Sequence, residues 1–94
     1  MERRLRLTPG YLRTTRRLGL VAKSIRGRAL AGTIAAILSA DALPAPSDTK
    51  VIFEPAMRAF ARRVRGHNLW LWYALSEQEL TLLTITIDPP VPEE

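Results

Sequence analysis

Asn68-Leu69-Trp70-Leu71-Trp72-Tyr73-Ala74-Leu75, then Ser76-Glu77-Gln78-Glu79, then Leu80-Thr81-Leu82-Leu83-Thr84-Ile85-Thr86-Ile87, is the stretch that decides the fold. Its first run is rich in aromatic and branched residues that favour a pleated strand. Leu69, Leu71, Tyr73 and Leu75 alternate with Trp70, Trp72 and Ala74, so the two sets lie on opposite faces. The polar break is a turn. The second run repeats the pattern, with Thr81, Leu83, Ile85 and Ile87 expected on one face. The pair reads as an antiparallel hairpin.

Upstream, Lys50-Val51-Ile52-Phe53 starts another strand. The next segment is ambiguous. Met57, Phe60, Ala61 and Val64 fit helical spacing, and Pro55 is able to open a helix, yet two clear strands follow directly. We read a strand over 58–65. Further back, Ile25, Ala29, Leu30, Thr33, Ile34, Ile37 and Leu38 recur at spacings of three and four, the apolar stripe of a helix from Ser24 to Leu43. Gly27 and Gly32 weaken it or let the first helix pack close. Pro44-Ala45-Pro46-Ser47-Asp48 closes it as a loop. Thr8-Pro9 is a good helix start, with Thr as cap and Pro at the first position. That first helix runs from Pro9 to Leu18, with Tyr11, Leu12, Thr15 and Leu18 inward, and Gly19 ends it. Arg4-Leu5-Arg6-Leu7 alternates and reads as a short strand with both leucines toward the core. The order is β-α-α-β-β-β, an α+β chain with two N-terminal helices on a mostly antiparallel sheet of about four strands. Residues 1–88 form one domain, and residues 89–94 a Pro/Glu tail that is extended and mobile because its prolines cannot pair.

Composition narrows the function classes. The chain has 94 residues, enough for one domain of modest stability. It has no cysteine, which excludes a disulfide framework, thiolate metal ligands and a cysteine nucleophile. One histidine and scattered acids offer no metal constellation. No Gly-rich phosphate loop or serine triad is visible, so no cofactor is expected. No uninterrupted apolar run reaches the length of a membrane span. The basic N-terminus has no apolar run behind it and does not read as a signal peptide. A cytoplasmic, membrane-free protein is the expectation.

Charge is unevenly placed. The net charge is +5, but residues 1–28 hold nine Lys/Arg against Glu2 alone, while the remainder is net acidic. Twelve of the fourteen cations are Arg, whose planar fork grips phosphate and stacks on bases. Such a half-molecule suits a polyanion or an acidic protein.

Several stretches resemble the RelE/ParE superfamily of toxins. Leu5-Arg6-Leu7-Thr8-Pro9-Gly10-Tyr11-Leu12-Arg13-Thr14-Thr15-Arg16-Arg17-Leu18 is similar to the family's opening strand and its helix of the form aromatic-Leu-basic ending in basic-basic-Leu. Arg63-Val64-Arg65-Gly66-His67-Asn68-Leu69-Trp70-Leu71-Trp72-Tyr73 is similar to its Arg-x-Arg-x-Gly segment feeding a strand that ends in Tyr. Leu80 to Ile87 stands where the last strand stands. The resemblance covers nearly the whole chain, through degenerate motifs. It implies the toxin half of a toxin–antitoxin pair, silenced by a cognate antitoxin. RelE-like members cut messenger RNA on the ribosome without a metal; ParE-like members inhibit DNA gyrase.

Metal-free RNA cleavage needs a group to activate the 2′-hydroxyl, a group to protonate the leaving oxygen, and cations to stabilise the phosphorane. The resemblance makes Arg63, Arg65, His67 and Tyr73 the catalytic candidates. Lys50, Arg62, Arg13, Arg16 and Arg17 are the candidates for holding nucleic acid. Arg63 and Arg65, two apart on a strand, would share a face and clamp one phosphate; the plainer alternative is a solvated basic edge that resists aggregation. His67 is the side chain whose ordinary pKa lies near neutrality, or a simple turn residue. Tyr73 is a proton carrier, or a core ring with a bonded hydroxyl. Trp70 and Trp72 stack bases or pack against the second helix. If Leu69, Leu71 and Tyr73 face the core instead, both Trp rings become a seat for an antitoxin segment. Two positions depart from the family. Leu69 stands where an Arg is frequent, and Ile87-Asp88-Pro89-Pro90 offers no His, Arg or Tyr at the last strand's end. Both departures suit a ParE-like gyrase inhibitor, a divergent member or a degraded one better than an active nuclease. A basic nucleic-acid-binding or interaction module outside the family is the third expectation.

Overall fold

The computed structural model describes residues 3–53 and 55–92. Met1, Glu2, Glu54, Glu93 and Glu94 lie outside the described residues, and with them the end of the expected Pro/Glu tail. Seven elements follow in order: β1 (Arg4–Leu7), α1 (Pro9–Arg17), α2 (Ile25–Ser39), β2 (Thr49–Phe53), β3 (Met57–Arg63), β4 (Trp70–Leu75) and β5 (Glu79–Thr86). They build an α+β fold with one mixed sheet in the order β1-β5-β4-β3-β2. β1 runs parallel to β5, and every other pairing is antiparallel.

The sheet has five strands where the sequence suggested about four. Residues 49–63 form a hairpin, with Thr49 opposite Ala61 and Phe53 opposite Met57. Period two prevails over helical spacing in β3 because both its edges are paired, to β2 and to β4. Its alternation is plain once seen, since Ala59 and Ala61 are buried while Arg58, Phe60 and Arg62 on the other face are exposed or half-buried. β3 stops at Arg63, short of the expected 65. The chain turns at Val64–Asn68, with the His67 amide donating to the Val64 carbonyl at 3.0 Å. Gly66 sits in this turn at φ +83°, a conformation that favours glycine.

Both helices start as their caps dictate. The Thr8 hydroxyl accepts from the Tyr11 amide at 3.1 Å, and it also donates to the Leu82 carbonyl at 2.9 Å, which pins the start of α1 to β5. The Ser24 hydroxyl accepts from the Gly27 amide at 2.9 Å. Such a cap contributes about 1 kcal/mol. A Cβ on Gly27 would fall 1.9 Å from the Val21 carbonyl oxygen. This glycine therefore lets the connection between the helices, rather than α1 itself, lie against α2. Gly32 has no such neighbour. α2 ends at Ser39, not Leu43, because Ala40 turns to an extended conformation ahead of the proline loop.

The sheet carries apolar clusters on two faces. On the helix side, Tyr11, Leu20, Leu30 and Ile37 pack onto Val64, Leu69, Leu71, Tyr73, Leu80, Leu82 and Ile85. On the other side, Val51, Ala59, Ala61 and Leu83 are buried beneath Phe53, Trp70, Trp72 and Ala74. Trp70 and Trp72 therefore do not pack against α2. The two faces of β4 are as the alternation says, but the leucines and Tyr73 take the helix side. A β-bulge at Trp72/Tyr73 breaks the alternation of β5, so Leu83 joins one cluster and Ile85 the other.

Three further inward assignments are corrected. Leu5 and Leu7 are each 44% exposed. They flank Leu80 and Leu82 in register, but on an edge strand that the helices do not cover. In α1 it is Tyr11 and Thr14 that are buried, and Leu12 is exposed. Thr14 goes inward because its hydroxyl finds partners there, donating to the Gly10 carbonyl at 2.6 Å with the Thr84 hydroxyl 3.0 Å away. Ile25, at the first turn of α2, is exposed.

Candidate nucleic-acid interface

The register of the β2–β3 hairpin, extended one step past Thr49–Ala61, sets Asp48 across from Arg62. They form a two-pronged ion pair: Arg62 Nε lies 2.6 Å from Asp48 Oδ1, and Nη2 lies 2.9 Å from Oδ2. The Asp48 side chain has no exposed surface. It also accepts from the Ala45 amide at 2.9 Å and from the Tyr73 hydroxyl. Burial opposes its ionisation, but Arg62, the Tyr73 hydroxyl and the Ala45 amide together outweigh it and hold the carboxyl below its ordinary value. The same bonds raise Arg62. Tyr73 is raised too, by burial first and then by the carboxylate it faces. Its ring is wholly buried against Phe60, with centroids 5.6 Å apart.

A groove of about 390 Å³ opens between α2 and the end of β3. One wall is Ala29, Gly32, Thr33 and Ala36, small residues on successive turns of α2. The other is Arg62, Arg63 and Arg65. Small side chains on the helix leave the volume that the three arginines border. Of the five N–H donors of Arg62, two go to Asp48. The Arg62 charge is balanced by Asp48, so the positive potential of the groove comes from Arg63 and Arg65.

Arg63 and Arg65 do not share a face by strand alternation, because β3 ends between them. Arg63 folds over the following turn. Its Nε donates to the His67 carbonyl at 3.0 Å, Nη2 lies 3.4 Å from Asn68 Oδ1, and the guanidinium carbon stands 5.8 Å from the centre of the Trp70 ring. Arg65 is exposed in the turn. His67 is half-buried there, engaged through its backbone.

The remaining candidates lie elsewhere. Lys50 is exposed on β2, opposite Phe60, and does not border the groove. Arg13 and Arg17 border a second concavity of about 450 Å³ with Gly10 and Thr14, while Arg16 points away from it. Trp70 and Trp72 are half-buried on the face opposite the helices, and the Trp72 indole donates to the Thr86 hydroxyl at 3.0 Å. Leu69 is a core residue, and Asp88 is exposed just beyond β5.

Asp48 is the residue the sequence reading missed. Its signal was the hairpin register, visible only if residues 49–63 are read as two strands. The site thus combines a basic groove with a buried anchor. No family model matches the chain, and no curated protein or solved structure is significantly similar to it.

Proposed function

We propose that this chain is the toxin component of a toxin–antitoxin pair of the RelE/ParE type, acting as an endoribonuclease on messenger RNA at the ribosome. The observation that carries the reading is the groove bordered by Arg62, Arg63 and Arg65. Arg63 and Arg65 supply charge for the scissile phosphate and for the phosphorane it becomes. Arg62, held by Asp48, supplies oriented donors. His67, in the turn beside Arg63, is the group for proton transfer. Support also comes from the element order, in which a first strand and two helices precede the remaining strands as the resemblance implies, with one strand more than its β-α-α-β-β-β order. The cognate antitoxin is an acidic, amphipathic segment that covers the basic surface and adds apolar contact.

A specific observation favours the second reading, inhibition of DNA gyrase. Tyr73 is buried and bonded to Asp48, Leu69 is in the core, and β5 ends at Thr86 and is followed by Ile87-Asp88-Pro89-Pro90, so the usual family groups are not offered at the groove.

Induced expression in bacteria, followed by primer extension on an abundant translated message, separates the two. Growth arrest with new 5′ ends inside translated regions is expected. Arrest with intact messages, filamentation and DNA damage selects gyrase. Arg63→Ala with Arg65→Ala is expected to abolish toxicity in a folded protein; undiminished toxicity sinks the assignment of the groove.

A further inference from the structure

The concavity on α1 shares no lining residue with the Arg62–Arg65 groove. Gly10, Arg13, Thr14 and Arg17 border it, spaced by three and four, so they form one stripe along the helix. Its floor is the seam between α1 and β5. That seam is tight and fixed: a Cβ on Gly10 would lie 3.3 Å from the Leu83 carbonyl oxygen, and Thr14 bonds across to Thr84. Its walls are the two guanidinium groups. Neither has a carboxylate or carbonyl partner among the described residues, and α1 contains no acid. Like charges four apart on a helix repel each other, and an anion set between them relieves that repulsion.

We propose that this groove is a second phosphate-binding site, taking one backbone phosphodiester of a single-stranded RNA away from the Arg62–Arg65 groove. Two forked guanidinium groups over a backbone floor match the tetrahedral oxygens of a phosphodiester. Among the described residues no large apolar side chain borders the groove. A protein segment would find charge there but no anchor of the kind that carries protein–protein affinity. Leu12 and Val21, which would serve as such anchors, lie outside it. The proposal depends on the preceding reading only for the choice of RNA as the strand.

The test is fluorescence anisotropy with a labelled, uncleavable 2′-O-methyl oligouridine, titrated across salt concentrations. Arg13→Gln with Arg17→Gln is compared with Arg4→Gln with Arg26→Gln, which removes the same charge from exposed positions outside the groove. The groove pair is expected to weaken binding about tenfold and to lower the salt slope by about 0.7, the value of one single-strand phosphate contact. The control pair is expected to change binding less than about threefold, with the slope kept. Equal weakening by both pairs overturns the site in favour of general basic attraction. Absence of wild-type binding overturns it as well. So does loss of an oligoglutamate peptide by the groove pair with RNA binding intact, since that makes the occupant a protein. Because the probe cannot be cut, a protein that binds it through Arg13 and Arg17 yet cleaves no message refutes the nuclease reading and leaves this site standing.

Discussion

Tyr73→Phe separates an anchoring role from a chemical one. The substitution keeps the ring, its buried volume and its packing on Phe60, and it deletes one donor. A hydrogen bond to a charged group contributes about 1.5–3 kcal/mol. The lower end applies here, because Asp48 Oδ2 keeps the Ala45 amide and Arg62 Nη2, each at 2.9 Å, and is not left orphaned. A loss of about 1.5–2 kcal/mol in a domain this size lowers Tm by about 6–15 °C. Thermal and urea unfolding at pH 7, followed by circular dichroism, measure it. Growth arrest, assayed well below the new Tm, is expected to survive, since a buried hydroxyl that faces Asp48 cannot reach a phosphate in the groove. A variant within about 2 °C of the parent refutes the anchoring argument, because a hydrogen bond to a buried carboxylate cannot be worth so little. A variant of unchanged stability that loses all toxicity goes further and returns Tyr73 to the chemistry.

The remaining predictions concern the same network and the helices. Asp48 has a folded-state pKa below its unfolded one, so its contribution to stability is full above the ordinary carboxylate value and is lost as pH falls through the folded value. The urea midpoint is therefore expected to fall on acidification below about pH 4, and Asp48→Asn to flatten that part of the profile; an unchanged profile in Asp48→Asn removes the carboxylate from the account. Gly27→Ala is expected to destabilise by about 1–3 kcal/mol or more, since its Cβ would strike the backbone at Val21. Gly32→Ala has open space and is expected to stabilise by up to about 1 kcal/mol. Equal effects at the two glycines, measured by urea unfolding, contradict the packing described for α2.

The parts of the fold legible in the sequence are those that local chemistry decides. Thr8-Pro9 and the apolar stripe from Leu30 to Leu38 placed the helices because capping and period 3.6 act within a few residues. The alternation of residues 68–75 placed β4 and its two faces. Which face meets the helices is a different kind of fact. Trp70 and Trp72 are larger than their neighbours, so the apolar area they can bury puts them inward, yet they cover Ala59 and Ala61 on the open side of the sheet. Only the small residues of β3 make that arrangement possible, and a strand cannot announce what its neighbour will be. Leu5 and Leu7 fail for a related reason: alternation gives a face, not the reach of the helices across it.

The missed hairpin and the missed site residue have one cause. Read as a single strand over 58–65, the segment sets Arg63 and Arg65 side by side and leaves Arg62 on the other face with no partner. Read as β2 and β3, it sets Arg62 against Asp48, ends the strand at Arg63 and gives Arg65 to a turn. The clamp then follows from bordering one groove rather than from strand alternation. The anchor residue, Asp48, lies fourteen positions before the arginine it holds. A buried carboxylate that grips one arginine fixes where that guanidinium points but cancels its charge. Under the proposed function Arg63 and Arg65 would then have to carry the attraction for phosphate, which is why substitution of that pair, and not of Arg62 alone, is the stringent test of the groove.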